Sequence, residues 1–119
     1  MKRKQATLND RKFHLEARAK ILKALSHPTR LFIVDRLSKR AHCVCELTEM
    51  IDADMSTVSK HLLVLKNAGI IADEKKGLWV WYSLKVPCII DFMSCVEETI
   101  RVNLSERMTS EKALGRSRR

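Results

Sequence analysis

The stretch MSTVSKHLLVLKNAGI, Met55–Ile70, decides the fold. Val58, Leu62 and Leu65 recur at helical spacing, so a helix over about 55–68 turns one face inward. Ser56, Thr57, Ser59 and Lys60 are left at its amino-terminal end, open to solvent. Asn67-Ala68-Gly69 ends the helix, with Gly69 suited to a left-handed cap position. Beyond Gly69 the apolar period becomes alternating, and residues 70–74 and 78–84 read as two strands. Lys75-Lys76-Gly77 joins them as a hairpin with a basic tip. In the second strand Leu78, Val80, Tyr82 and Leu84 share one face and Trp79, Trp81 and Ser83 the other.

Upstream, Val44, Leu47 and Ile51 predict a short helix over about 44–51, and Asp52-Ala53-Asp54 is a polar turn. A short helix, a tight turn, a helix that starts with hydroxyl and basic residues, and a basic-tipped hairpin together make a winged helix-turn-helix. Its second helix is narrow enough to enter a major groove, where Ser56, Thr57, Ser59 and Lys60 offer donors and acceptors to bases and phosphates. Lys75 and Lys76 would reach the adjacent backbone or minor groove. His61 admits two readings, a phosphate contact or a partly buried structural histidine. Trp79 and Trp81 read as packing residues.

Three further helices complete the expected α-α-α-α-β-β-α order, mainly α with one small hairpin. Phe13, Ala17, Ile21 and Leu25 stripe a helix over 11–25. Ser26-His27-Pro28 breaks it and starts another, with Ser26 or His27 at the cap and Pro28 in the first turn. Leu31, Ile33, Val34 and Leu37 give that second helix its inner face. Pro87 opens a last helix over 87–104, whose stripe of Ile89, Phe92, Met93, Val96 and Ile100 is broad enough to need a partner beyond its own subunit.

At 119 residues the chain is one domain with a core large enough to fold unaided. Residues 1–10 read as a basic disordered arm, 11–104 as the DNA-binding and dimerisation domain, and 105–119 as a basic disordered tail. The net charge of +9 favours a polyanionic partner. Part of it, on Lys2, Arg3, Lys4, Arg116, Arg118 and Arg119, sits in the flanks and identifies no site. No apolar run suits a signal peptide or a membrane span. A reducing cytoplasm is therefore expected, where clustered cysteines point to metal or redox chemistry more than to bridges.

The cysteines are Cys43, Cys45, Cys88 and Cys95. Thiols at i and i+2 lie about 200° apart on a helix and on opposite faces of a strand. For both to hold one ion, the backbone between them must turn or unwind, which would disturb the helix supporting the one in the groove. The competing reading makes both small buried hydrophobes.

Ala24-Leu25-Ser26-His27-Pro28-Thr29-Arg30-Leu31, Cys43-Val44-Cys45-Glu46-Leu47, Ser56-Thr57-Val58-Ser59-Lys60-His61-Leu62, Leu65-Lys66-Asn67-Ala68-Gly69-Ile70 and the wing Lys76-Gly77-Leu78-Trp79-Val80-Trp81-Tyr82 resemble the ArsR/SmtB family of metal-responsive repressors. The resemblance covers about 14–104. It implies a homodimeric repressor that binds an imperfect palindrome of double-stranded operator DNA and leaves it when a toxic ion binds. The Cys-Val-Cys-Glu-Leu variant looks most like the arsenical and cadmium/lead branches, where these two thiolates hold the inducer. It implies As(III) first, with Sb(III), Cd(II) or Pb(II) as the other inducers and no obligatory cofactor; soft thiolates suit such ions.

The departures from the family matter. The positions matching the zinc ligands of other members are Asp91, Met93, Leu104 and Arg107, so that zinc site is absent. The third cysteine common in the arsenical branch is Thr48 here, and residues 1–42 contain none of the arm cysteines of the cadmium/lead branch. A third ligand comes from elsewhere, or solvent supplies it. Cys88, beside Pro87 at the start of the last helix, is the better candidate, because a helix amino terminus favours its thiolate. Cys95 reads as packing. His42 adjoins the pair and would matter for zinc or copper. A dithiol sensing oxidants or reactive sulfur is the alternative signal, and a protein-interaction module the alternative function. An enzyme is not expected, because His27, His42 and the cysteines lack an orienting group and a substrate pocket.

Overall fold

The computed structural model describes residues 5–117, so expectations resting on Lys2, Arg3, Lys4, Arg118 and Arg119 lie outside the described residues. The chain divides into two compact units, 1–86 and 87–119. The first contains α1 (Leu8–Leu25), α2 (Pro28–Lys39), β1 (His42–Cys43), α3 (Val44–Ile51), α4 (Met55–Asn67), β2 (Ile71–Lys76) and β3 (Trp79–Leu84); the second is α5 (Ile89–Ser117) with its lead-in.

Within the first unit, apolar side chains from three helices and the sheet converge. Ile33, Val34 and Leu37 of α2, Leu47 of α3, and Val58, Leu62 and Leu65 of α4 are buried together with Ile70 and Ile71. Ala24 and Leu25 bring the end of α1 into the same core. The expected inner face of α4 is therefore observed, whereas Leu31 of α2 is 39% exposed and belongs to the surface. Among the apolar residues of α1, Phe13 and Ile21 are also exposed.

The chain turns where its chemistry predicts. His27 caps α2, its Nδ1 accepting from the Thr29 N–H at 3.1 Å, and Pro28 takes the first helical position, where a missing N–H costs nothing. Asp52 adopts a left-handed conformation (φ 57°, ψ 48°) between α3 and α4, a region that short polar side chains tolerate. Gly69 has φ +79° and releases the chain from α4 into β2.

The sheet differs from the expected hairpin in two ways. It has three antiparallel strands in the order β1-β3-β2, because His42 pairs with Tyr82 and Cys43 with Trp81. The hairpin is also tighter than expected. Lys76 pairs with Trp79, so Lys75 and Lys76 lie in β2 itself and the tip is Gly77-Leu78, with Leu78 91% exposed. Gly77 has the positive φ (63°) that a two-residue hairpin loop demands.

Regular structure also reaches further than the composition suggested. α1 starts at Leu8, inside the expected arm, and α5 continues to Ser117 through most of the expected tail. α5 carries an exposed apolar stripe at four-residue spacing: Phe92, Val96, Ile100, Leu104 and Met108. Among the described residues, no helix is long and apolar enough to cross a membrane.

Candidate DNA interface and thiol site

α4 presents Ser56, Thr57, Ser59 and Lys60 as exposed residues on its first turns, and the burial of Val58, Leu62 and Leu65 on the other face fixes that orientation. Asp54 organises the amino end. Its Oδ1 accepts from the Thr57 N–H at 2.7 Å and from the Ser56 hydroxyl at 2.9 Å. These bonds, those from Thr57 first, hold the Asp54 carboxyl below its ordinary value. Ser56 thus spends its one proton on Asp54 and turns lone pairs outward, which makes it an acceptor towards a base edge or a water.

The sequence reading missed Leu63, 55% exposed on the same side as Ser59 and Lys60. An exposed leucine there suits apolar contact with a thymine methyl. Its signal was available, since 63 falls outside the Val58-Leu62-Leu65 stripe. His61 is half-buried, and its ring lies 4.5 Å centroid to centroid from that of His27. Desolvation, then the nearby positive charge of His27 and Arg30, push its pKa down from 6.5. Lys75 and Lys76 are exposed at the end of β2.

The thiol pair is built at the junction of β1 and α3. Cys43 is the last residue of β1 and the N-cap of α3, with extended dihedrals (φ −80°, ψ 161°), while Cys45 lies in the first helical turn. The junction supplies the turn that neither regular helix nor strand could. Their Cα atoms are 5.4 Å apart, and a disulfide joins Cys43 to Cys45. Cys43 is buried and Cys45 partly so.

A polar cluster braces this junction. Nδ1 of buried His42 and Nη2 of Arg40 both contact Oε2 of Glu46, at 3.1 Å and 2.7 Å. The end of α2, β1 and the first turn of α3 are thereby tied together on either side of the cysteines. The bonds from Arg40 and then His42 pull the Glu46 carboxyl from 4.5 down to about 2. Thr48, at the place of a third cysteine, donates its hydroxyl to the Val44 carbonyl at 2.7 Å and is committed to its own helix.

Among the described residues, no three His, Cys, Asp or Glu side chains converge into a group that could hold a metal. Cys88 and Cys95 belong to the second unit and both are exposed. Cys88 precedes α5 and does not sit within its first turn, and Cys95, expected to pack, is exposed on α5 in the single chain.

Residues 27–73 match the family described as "Bacterial regulatory protein, arsR family". An uncharacterized HTH-type transcriptional regulator of Methanocaldococcus jannaschii is 34% identical over 84 residues, 70% of this chain and 94% of that protein. The chain belongs to the arsR family. A cadmium resistance transcriptional regulatory protein homolog of Staphylococcus aureus is 45% identical across 56% of this chain and 55% of its own length. The arsenical resistance operon repressor of Escherichia coli is 40% identical across 54% of this chain and 56% of its own. The chain thus spans about half the length of these two metal-resistance regulators. A solved Mycobacterium tuberculosis protein, Rv0081, superposes with a TM-score of 0.72 at 29% identity, over 79% of this chain and 95% of that one. As an arsR-family protein with a winged helix-turn-helix, the chain is a transcription regulator of a metal-responsive family and not an enzyme.

Proposed function

We propose that this arsR-family protein is a cytoplasmic homodimeric repressor that leaves its operator when a thiophilic ion, As(III) foremost, binds Cys43 and Cys45. The meeting of the two sulfur atoms at the start of α3 carries the reading. Sulfurs close enough to bond can also share one soft ion, and the ion then sits on the helix against which α4 packs. Ser56, Thr57, Ser59, Lys60 and Leu63 face the major groove, with His61, Lys75 and Lys76 near the backbone. The 11–104 segment forms the DNA-binding and dimerisation domain, and the α5 stripe gives the dimer its apolar surface. With Thr48 committed, the third ligand is Cys88 or a small molecule from solution. Sb(III), Cd(II) and Pb(II) follow As(III) as inducers.

Binding and release are linked: an ion that weakens DNA affinity is itself bound less tightly by the DNA complex, by the same factor. Such coupling typically amounts to ~1–3 kcal/mol. The test is fluorescence anisotropy of the reduced protein on its own upstream promoter DNA, with arsenite titrated into the complex. Release at about one ion per chain, absent in Cys43→Ser, is expected. Retained binding sinks the arsenite reading and leaves the DNA reader standing.

The disulfide supports a second reading, a dithiol sensor. An oxidant or reactive sulfur species takes two electrons from Cys43 and Cys45, two protons leave, and the S–S bond replaces two thiols at the α3 junction. Reversible loss of DNA binding with peroxide, restored by a phosphine reductant, together with indifference to arsenite, would favour it.

A further inference from the structure

A second basic concavity lies within the first unit, away from the β1–α3 junction. Lys20 and Lys23 of α1, Arg30 of α2, and Val64, Asn67 and Ala68 at the end of α4 line an open cavity of about 450 Å³. Ligand pockets run from ~300 to 1,000 Å³, so the space suits a small organic molecule. Three cationic side chains line it and no carboxylate does. None of the three has an ion pair among the described residues.

The guanidinium of Arg30 supplies an independent observation. Its Nε is buried and has no hydrogen-bond acceptor. Buried donors are almost always paired, so Arg30 is left with an unmet donor, and its half-buried side chain, which lines the cavity, must turn to bring that N–H to an acceptor bound there. The cavity between α2 and α3 makes a useful contrast. It too has Arg36, Lys39 and Arg40, but Glu46 and Glu49 line it, and its arginines are engaged by Asp35 and Glu46. Charge there is nearly balanced, whereas around Arg30 it is not.

We propose that the α1–α2–α4 cavity is an anion-binding site for a small molecule with a phosphate or carboxylate head. Arg30 grips the head, with Lys20 and Lys23 adding charge from α1 and the Asn67 amide a further donor. Ala24, Val64 and Ala68 form an apolar floor for a short hydrocarbon body. Because α4 supplies one wall, the bound anion ties the DNA-reading helix to α1 and α2, and it acts independently of the thiols.

The probe is phenyl phosphate, with benzoate as the carboxylate counterpart, titrated calorimetrically into the reduced full chain at constant ionic strength. Saturable binding of about one molecule per chain is expected, weakened about tenfold or more in Lys20→Gln/Lys23→Gln and in Arg30→Gln. The lysine pair lies on exposed helix surface, so that variant keeps the test valid if Arg30→Gln fails to fold. In nuclear magnetic resonance titrations the His61 ring should take up its proton at higher pH when the anion is bound. No saturable binding, or binding unchanged in the lysine variant, overturns the proposal. It is equally overturned if the lysine variant loses only salt-dependent DNA affinity while neither probe binds, because the cavity then seats a backbone phosphate.

Discussion

Glu46 shows how one side chain can hold the junction where the cysteines meet. A single oxygen accepts from Arg40 and His42, and the carboxyl falls to about 2 from 4.5. A carboxyl that titrates lower in the folded state stabilises that state fully above its unfolded value, and the contribution disappears as pH falls from about 4.5 towards about 2. Glu46→Gln should therefore lower the urea midpoint of the reduced protein at neutral pH, and the gap from wild type should narrow near pH 3. An equal gap at both pH values would mean that Glu46 acts through shape alone. The same variant should leave arsenite stoichiometry intact while changing how strongly arsenite releases DNA, since Glu46 braces the junction without supplying a sulfur.

At the scale of the element, α4 is the helix on which both stability and reading depend. His61 faces His27 and Arg30 of α2, and burial with those neighbours disfavours its protonated form. Stability should thus be level above about 6.5 and decline as pH falls below it, since the unfolded chain takes up the proton first. His61→Gln should flatten that decline in denaturation series across pH 7 to 5; an unchanged slope would assign the proton uptake elsewhere. At the far end, Gly69 holds φ +79° with open space where a Cβ would stand. Gly69→Ala should then cost only backbone strain, ~1–2 kcal/mol by urea denaturation, and a cost near zero would show that the turn relaxes. The phase and the end of α4 were legible because Val58, Leu62 and Leu65 set the one and Gly69 the other. β1 was not legible: two residues cannot display alternation, and His42-Cys43 becomes a strand only by pairing with Trp81 and Tyr82, some forty positions away. The place of the lysines in the wing was missed for a related reason. Cross-strand register, Lys76 against Trp79, decides where the turn falls, and composition does not encode register. The thiol pair was readable as a candidate, but its closure depended on that unseen strand ending at Cys43.

For the molecule as a whole, the apolar stripe on α5 and the charge of +9 pose separate questions of assembly and partner. Ile100 is 54% exposed at the middle of that stripe, so Ile100→Glu should shift the proposed dimer to monomer in light scattering while the first unit keeps its helical spectrum. A dimer that survives would move the interface to another surface. The charge bears on how DNA affinity responds to salt. Each phosphate neutralised releases condensed counterions, so the logarithm of affinity falls linearly with the logarithm of salt, with a slope of about 0.9 per contact. Lys75 and Lys76 protrude at the end of β2 with no ion pair among the described residues, and they carry no sequence information if they touch only backbone. Lys75→Gln and Lys76→Gln should each reduce the salt slope by about one and weaken operator and random DNA alike. Leu63→Ala should behave in the opposite way, leaving the slope alone and relaxing the preference at one base pair. If the lysine variants altered sequence preference and left the slope unchanged, the wing would be reading bases, and the docking of the whole first unit on DNA would have to be turned to bring β2 into a groove.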